Sequence, residues 1–206
     1  MRAVYEIGIT IAAGGALFRV GAVVVGVVRS LRARERFTEF RVGPVECLTW
    51  LEPPALAAAA ILLLVDRGGL RSPSAFEAAF AVVGGLIVAY GVNVLLWAVL
   101  SWRQLFVGHG VLEGQQLVDS GAYGFVRHPA YVAALLVWTG LSIAFLDPIV
   151  AVVTALYVLP IYIAYLRAEE AMMEARFGDD YRRYRERVPM LVPRIGRSTH
   201  RSESAS

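Results

Sequence analysis

The chain has 206 residues, 57% of them hydrophobic and 18% charged, with a formal net charge of +3 and a mean hydropathy of +0.58. A soluble domain is about 45–50% apolar and about 25% charged, so this composition excludes an ordinary globular protein. Glycine and proline without a fixed period exclude collagen-like and low-complexity chains. What remains is an all-α integral membrane protein.

The first apolar run covers residues 7–28 and is interrupted by Arg19. That arginine breaks the apolar core a signal peptide needs, so the run is expected to stay as a membrane span. An arginine inside a span is a functional candidate by default. Snorkelling, or pairing with Glu46 or Glu52, accounts for it equally well. The second run, residues 44–65, carries Glu46, Glu52 and the Pro53-Pro54 pair, which predicts a span with a bent end. The third, residues 78–100, holds no charged residue. Its Asn93 suits a hydrogen bond to a neighbouring helix.

A long apolar region then continues to Leu166, broken once by Asp147-Pro148. It is too long for one span and predicts a tight hairpin of two, residues 131–146 and 149–165. Pro160 inside the second arm predicts a kink. Gly178 is the expected stop of the helix that follows. Residues 197–206, rich in serine and arginine, are expected to be a disordered tail.

All 20 basic residues are arginine, and they flank the spans. This reads as membrane topology, not as nucleic-acid binding. Arg29, Arg32, Arg34, Arg36 and Arg41 follow the first span, and only Arg67 and Arg71 separate the second from the third. Arg103 and Arg127 follow the third, and nine arginines follow the fifth. With five spans the rich segments share one face. The positive-inside rule then puts the N-terminus outside and the C-terminus in the cytoplasm. The lone Cys47 allows no internal disulfide, and His109, His128 and His200 lack metal-site spacing, so no metal is expected.

Polar chemistry gathers in two motifs. The first, GAYGFVRHPAY, covers residues 121–131. Its glycines permit a tight turn close to a ligand, and Pro129 suits a first helical turn. Arg127 and His128 then sit at an open helix end, where unpaired N–H groups favour an anion. The second, RAEEAMMEARFGDDYRRY, covers residues 167–184. A tight hairpin makes its two ends neighbours, so Arg127 and His128 are expected close to Glu169 and Glu170. Each group also has a plainer role. Arg127 and His128 suit lipid anchoring, Glu169 and Glu170 a solvated helix face, and Tyr181 and Tyr184 a tail helix on the membrane surface.

The two motifs together, GAYGFVRHPAYVAALL and RAEEAMMEARFGDDYRRYRERVPMLVP, resemble the signature of integral membrane methyltransferases of the isoprenylcysteine carboxyl methyltransferase family. That superfamily includes bacterial homologues and phospholipid N-methyltransferases. The resemblance covers about residues 95–193 of a single membrane domain, residues 1–196. It implies S-adenosylmethionine as cofactor and a lipophilic acceptor arriving from the bilayer, such as an isoprenylcysteine-like carboxylate, a phospholipid or a small hydrophobic molecule. It implies cofactor contacts from Tyr123, His128, Pro129, Tyr131, Ala134, Glu169, Glu170 and Tyr181. It implies catalytic roles for Arg127, Glu169 and Glu170. A glycine often follows the family's motif tyrosine by two residues, and here Ala133-Ala134 stand there. The lysine-free, alanine-rich composition fits a bacterial inner membrane. Competing functions are an NADPH-dependent sterol-reductase-like enzyme, whose family is far longer, and a non-enzymatic scaffold.

Overall fold

The structure, a computed structural model, describes residues 1–32, 37–40, 43–67, 72–102 and 110–193. Arg34, Arg36, Arg41, Arg71, Arg103, His109, His200 and the tail at 197–206 lie outside the described residues. Helix α1 runs Arg2–Arg32, α2 Pro44–Thr49, α3 Glu52–Arg67 and α4 Ala75–Ser101. Then come α5 Pro129–Phe145, α6 Pro148–Val153, α7 Leu159–Phe177 and α8 Asp179–Arg187. Four stretches are long and apolar enough to cross a membrane: α1, α2 with α3, α4, and α6 through α7. The fifth, α5, is apolar but shorter, about 25 Å at 1.5 Å per residue. The chain is a multi-pass helical membrane protein.

The local breaks follow from residue chemistry. Pro53 and Pro54 offer no N–H, so helical bonding lapses between α2 and α3. There Trp50 and Leu51 donate instead to Cys47 O and Leu48 O, three residues back, at 3.2 Å each. This is the expected bend of the second span. Ser74 and Glu77 form a reciprocal capping box that starts α4. The hairpin turns where expected. Leu146 adopts a left-handed conformation (φ 50°) and Asp147 Oδ1 caps Val150 N at 2.9 Å.

Pro160 has its effect one turn early. Residues Thr154–Val158 form a π turn, in which Leu159 N–H reaches back to Thr154 O. The helix thereby continues through the proline to Phe177. Asn93 departs from its expected role, because its side chain donates to Ala89 O of its own helix at 2.8 Å. The sequence reading also omitted a short antiparallel ribbon. Phe37–Phe40 pairs with Gly110–Leu112, tying the segment after α1 to the segment after α4.

Helix α4 packs between α1 and α5, and small residues set how closely. A Cβ built on Gly84 meets Ala144 N at 2.3 Å, and one on Gly8 meets Ala81 C at 2.4 Å. Backbones approach this closely only where side chains are nearly absent. Around these crossings lies a core that includes Val88, Val137, Trp138 and Leu141. Outward faces carry exposed Leu62, Leu86, Ile149 and Leu156, as a lipid-facing surface requires.

Gly84→Ala is therefore expected to cost about 1–3 kcal/mol by forcing α4 from α5. Gly14→Ala, whose new methyl meets nothing within 4 Å, serves as the matched control. Thermal unfolding in detergent measures both, and equal midpoints would contradict the close-crossing argument.

Candidate functional site

The hairpin brings the two motifs together. Arg127 donates Nε–H to Glu170 Oε1 at 2.7 Å, with its Nη2 also 2.7 Å from that oxygen. His128 Nε2 lies 3.1 Å from the same atom. An ionised carboxylate only accepts, so Nε2 is the protonated nitrogen. The remaining Arg127 nitrogen, Nη1, donates to Val188 O at 2.5 Å and Arg185 O at 3.2 Å.

The segment after α8 closes this arrangement through backbone bonds. Arg127 N donates to Pro189 O at 2.9 Å and His128 N to Met190 O at 3.2 Å. The helix-end N–H groups expected to hold an anion thus include two that already bond the chain. Tyr184 reinforces the closure by donating its hydroxyl to Tyr123 O at 2.8 Å. Arg187 does the same with Asp119 at 2.8 Å. Tyr181 and Tyr184 are buried together with Val188. Both side chains face the protein interior and line the adjoining cavity, so α8 is part of the site wall.

Behind this closure lies a cavity of about 760 Å³. Tyr123, Arg127, His128, Pro129, Tyr131, Glu169 and Tyr181 all line it. Glu170 and Ala134 are not among its lining residues. Glu170 is occupied by Arg127 and His128, and Ala134 is packed in the hydrophobic core. The adjacent glutamates therefore differ. Successive helical residues point about 100° apart, so one meets the hairpin and the other meets the cavity.

Glu169 Oε2 is buried without a hydrogen-bond partner, and so is the Tyr123 hydroxyl. His128 Nδ1 lies 3.8 Å from that Glu169 oxygen, beyond hydrogen-bond reach. Burial, with Glu169 adding to it, pushes the Tyr123 hydroxyl well above the usual phenol range. Tyr123 is accordingly a neutral donor. Burial likewise raises Tyr181. Buried polar groups without partners are rare and costly. Beside one cavity these two offer an acceptor and a donor to a polar molecule or water within it.

Sequence reasoning missed the other end of the cavity. Arg19, Glu52 and Tyr162 line it along with Trp50 and Tyr165. Arg19 Nη1 bonds both Glu52 oxygens, at 2.8 and 2.9 Å, and Nη2 bonds the Tyr162 hydroxyl at 2.8 Å. Trp138 Nε1 donates to Glu52 Oε1 at 2.5 Å. The partner of Arg19 is thus Glu52, one of the two expected. The signal was available: two ionisable residues inside apolar runs that need one another. Tyr131 joins the two ends, its ring 6.2 Å from His128, 5.0 Å from Tyr162 and 5.8 Å from Tyr165.

Comparison with known proteins places these motifs. Residues 79–180 match the phospholipid methyltransferase family. A methanethiol S-methyltransferase of Crocosphaera subtropica is 29% identical over 131 residues, 56% of this chain and 50% of that protein. The protein-S-isoprenylcysteine O-methyltransferase of Homo sapiens is 35% identical over 118 residues, 56% of this chain and 42% of that protein. A second methanethiol S-methyltransferase, of Bradyrhizobium diazoefficiens, is 36% identical over 96 residues, covering 45% and 36%. The chain spans at most half the length of these relatives. Residues 79–180, which carry the hairpin, the first polar motif and most of the second, are thus similar to the phospholipid methyltransferase family and to membrane methyltransferases that act on isoprenylcysteine and methanethiol.

Proposed function

We propose that this protein transfers a methyl group from S-adenosylmethionine to a lipophilic acceptor at the cytoplasmic face of a bacterial inner membrane. Residues 1–196 act as one membrane domain, with the cofactor held by the part from about 95 to 193. The N-terminus lies outside, because the arginine-rich segments then share the cytoplasmic side. The observation that carries the reading is the pair of buried, unpartnered polar atoms on the cavity wall, Glu169 Oε2 and the Tyr123 hydroxyl.

These residues suit the cofactor's chemistry. Glu169 would take its ammonium or a ribose hydroxyl, and Tyr123 would donate to one of its oxygens. The Tyr131 and Tyr181 rings offer faces to the sulfonium or the adenine. When bound, S-adenosylmethionine supplies an electrophilic methyl group. Glu170 acts one step removed: it fixes Arg127 and His128, which keep α5 and the segment after α8 closed over the cavity. Closure excludes water and holds the reactants in line, and orientation supplies much of the rate in such a displacement.

Isothermal titration of the detergent-purified protein tests this reading. S-adenosylmethionine and S-adenosylhomocysteine are expected to bind saturably, and NADPH is expected not to bind. Binding of NADPH alone would replace methyl transfer with reduction. No binding by folded protein would leave a scaffold.

A further inference from the structure

The turn at Gly121–Gly124 carries one of the two unpartnered atoms, the Tyr123 hydroxyl, and it is gripped from two sides. On one side Ser101, at the end of α4, accepts from Ala122 N at 3.0 Å and donates to Trp97 O at 2.8 Å. Gly121 makes room for that grip. Its φ is 60°, and a Cβ there would meet Ser101 Oγ at 2.3 Å. The Trp102 ring stands nearly perpendicular to the Tyr123 ring, with centroids 6.1 Å apart.

On the other side stands α8. The buried Tyr184 hydroxyl donates to Tyr123 O at 2.8 Å. Arg187 bonds Asp119, just before the turn, and the segment after α8 pairs with Arg127 and His128, just after it. The backbone of Tyr123 is thus tied to α8 while its side chain lines the cavity.

Helix α8 is lightly held. It has nine residues, and helices shorter than about 12–15 residues are marginal without tertiary support. It joins α7 through Gly178, whose φ of 55° and ψ of −125° suit glycine. Its apolar footing is Tyr181, Tyr184 and Val188 against Leu117, Met173 and Phe177, a cluster separate from the main core. Such an element opens at lower cost than the core does.

We infer that Tyr184 is a positioning residue for ligand binding: by holding Tyr123 O it sets the aim of the Tyr123 hydroxyl into the cavity, so that the binding site is complete only while α8 is docked. Tyr184 acts here through Tyr123, because its own hydroxyl is spent on the carbonyl. Docking and binding then support one another: a ligand that takes the Tyr123 hydroxyl steadies the residue that α8 holds. The identity of the ligand rests on the methyl-transfer reading above, whereas the hold on the turn rests on geometry alone.

The test is a double-mutant cycle on S-adenosylhomocysteine binding, titrated calorimetrically into the full chain in detergent. Tyr123→Phe removes the aimed hydroxyl and is expected to raise Kd about two- to tenfold, the scale of one neutral hydrogen bond. Tyr184→Phe keeps the ring, removes the bond to the carbonyl, and should raise Kd within the same range. The double variant should match Tyr123→Phe alone, because the aim of an absent hydroxyl carries no cost. Hydrogen exchange without ligand gives a second readout. Tyr184→Phe should speed exchange in residues 121–128 and leave α4 and α5 unchanged.

Additive losses in Kd would overturn the inference and make Tyr184 a packing or ligand-contacting group in its own right. So would a Kd unmoved by either single variant, or exchange in residues 121–128 that is indifferent to the Tyr184 hydroxyl. A wild type that binds no S-adenosylhomocysteine sinks the methyl-transfer reading instead, and the ligand-free exchange then decides by itself whether Tyr184 holds the turn.

Discussion

Replacing Glu170 by alanine is expected to cost both stability and cofactor affinity, whereas replacing Glu169 by glutamine should cost affinity alone. Glu170 is 7% exposed and is the only carboxylate among the described residues hydrogen-bonded to Arg127 or His128. Its loss leaves a buried guanidinium with only backbone carbonyls, and breaking such a pair costs about 3–5 kcal/mol. Glu169 makes no hydrogen bond through its buried oxygen, so the folded protein loses no hydrogen bond at that atom. A bound ligand loses one charge-assisted bond, about 1.5–3 kcal/mol, or about 10- to 100-fold in Kd. Thermal unfolding without ligand, paired with cofactor titration, separates the two. Equal destabilisation by both variants would refute the division of labour between the neighbouring glutamates.

That division illustrates what was legible in the sequence. The tight hairpin was readable from Asp147-Pro148, and hairpin geometry alone brings Arg127 and His128 to Glu169 and Glu170. Which glutamate meets which partner was not readable. It depends on the rotation of α7 after the π turn at Thr154–Val158, and no residue in that turn announces the extra hydrogen-bond span. The placement of Ala134 was not readable for a similar reason. It sits in the first turns of α5 on the small-residue face that packs into the core, where small size serves close helix contact.

The closure by α8 and the residues after it was only half visible. Tyr181 and Tyr184 suited an amphipathic surface helix equally well. What decides is the backbone pairing of Arg127 and His128 with Pro189 and Met190. Main-chain contacts across some 60 residues leave no side-chain signature. The ribbon between Phe37–Phe40 and Gly110–Leu112 was hidden in the same way. It joins segments that read as polar loops, and strands this short give too few residues for an alternating pattern.

The membrane-embedded cluster gives the second large effect. Arg19→Met alone is expected to destabilise the protein by about 3–5 kcal/mol, because it leaves the Glu52 carboxylate charged inside the helix bundle. Glu52→Gln alone should be similarly costly, since it strands the guanidinium and disturbs the Trp138 indole bond. The double variant should lose much less than the sum, because a neutral pair carries no desolvated charge. Chain connectivity explains why this cluster matters to the site. It joins α1, the start of α3, α5 and α7 through four side chains, and the cavity floor is made where those helices meet. A double-mutant cycle on unfolding in detergent reads the coupling directly. Additive losses would mean that Arg19 and Glu52 are each solvated by water or lipid headgroups, and that the bundle holds the cavity open by packing alone.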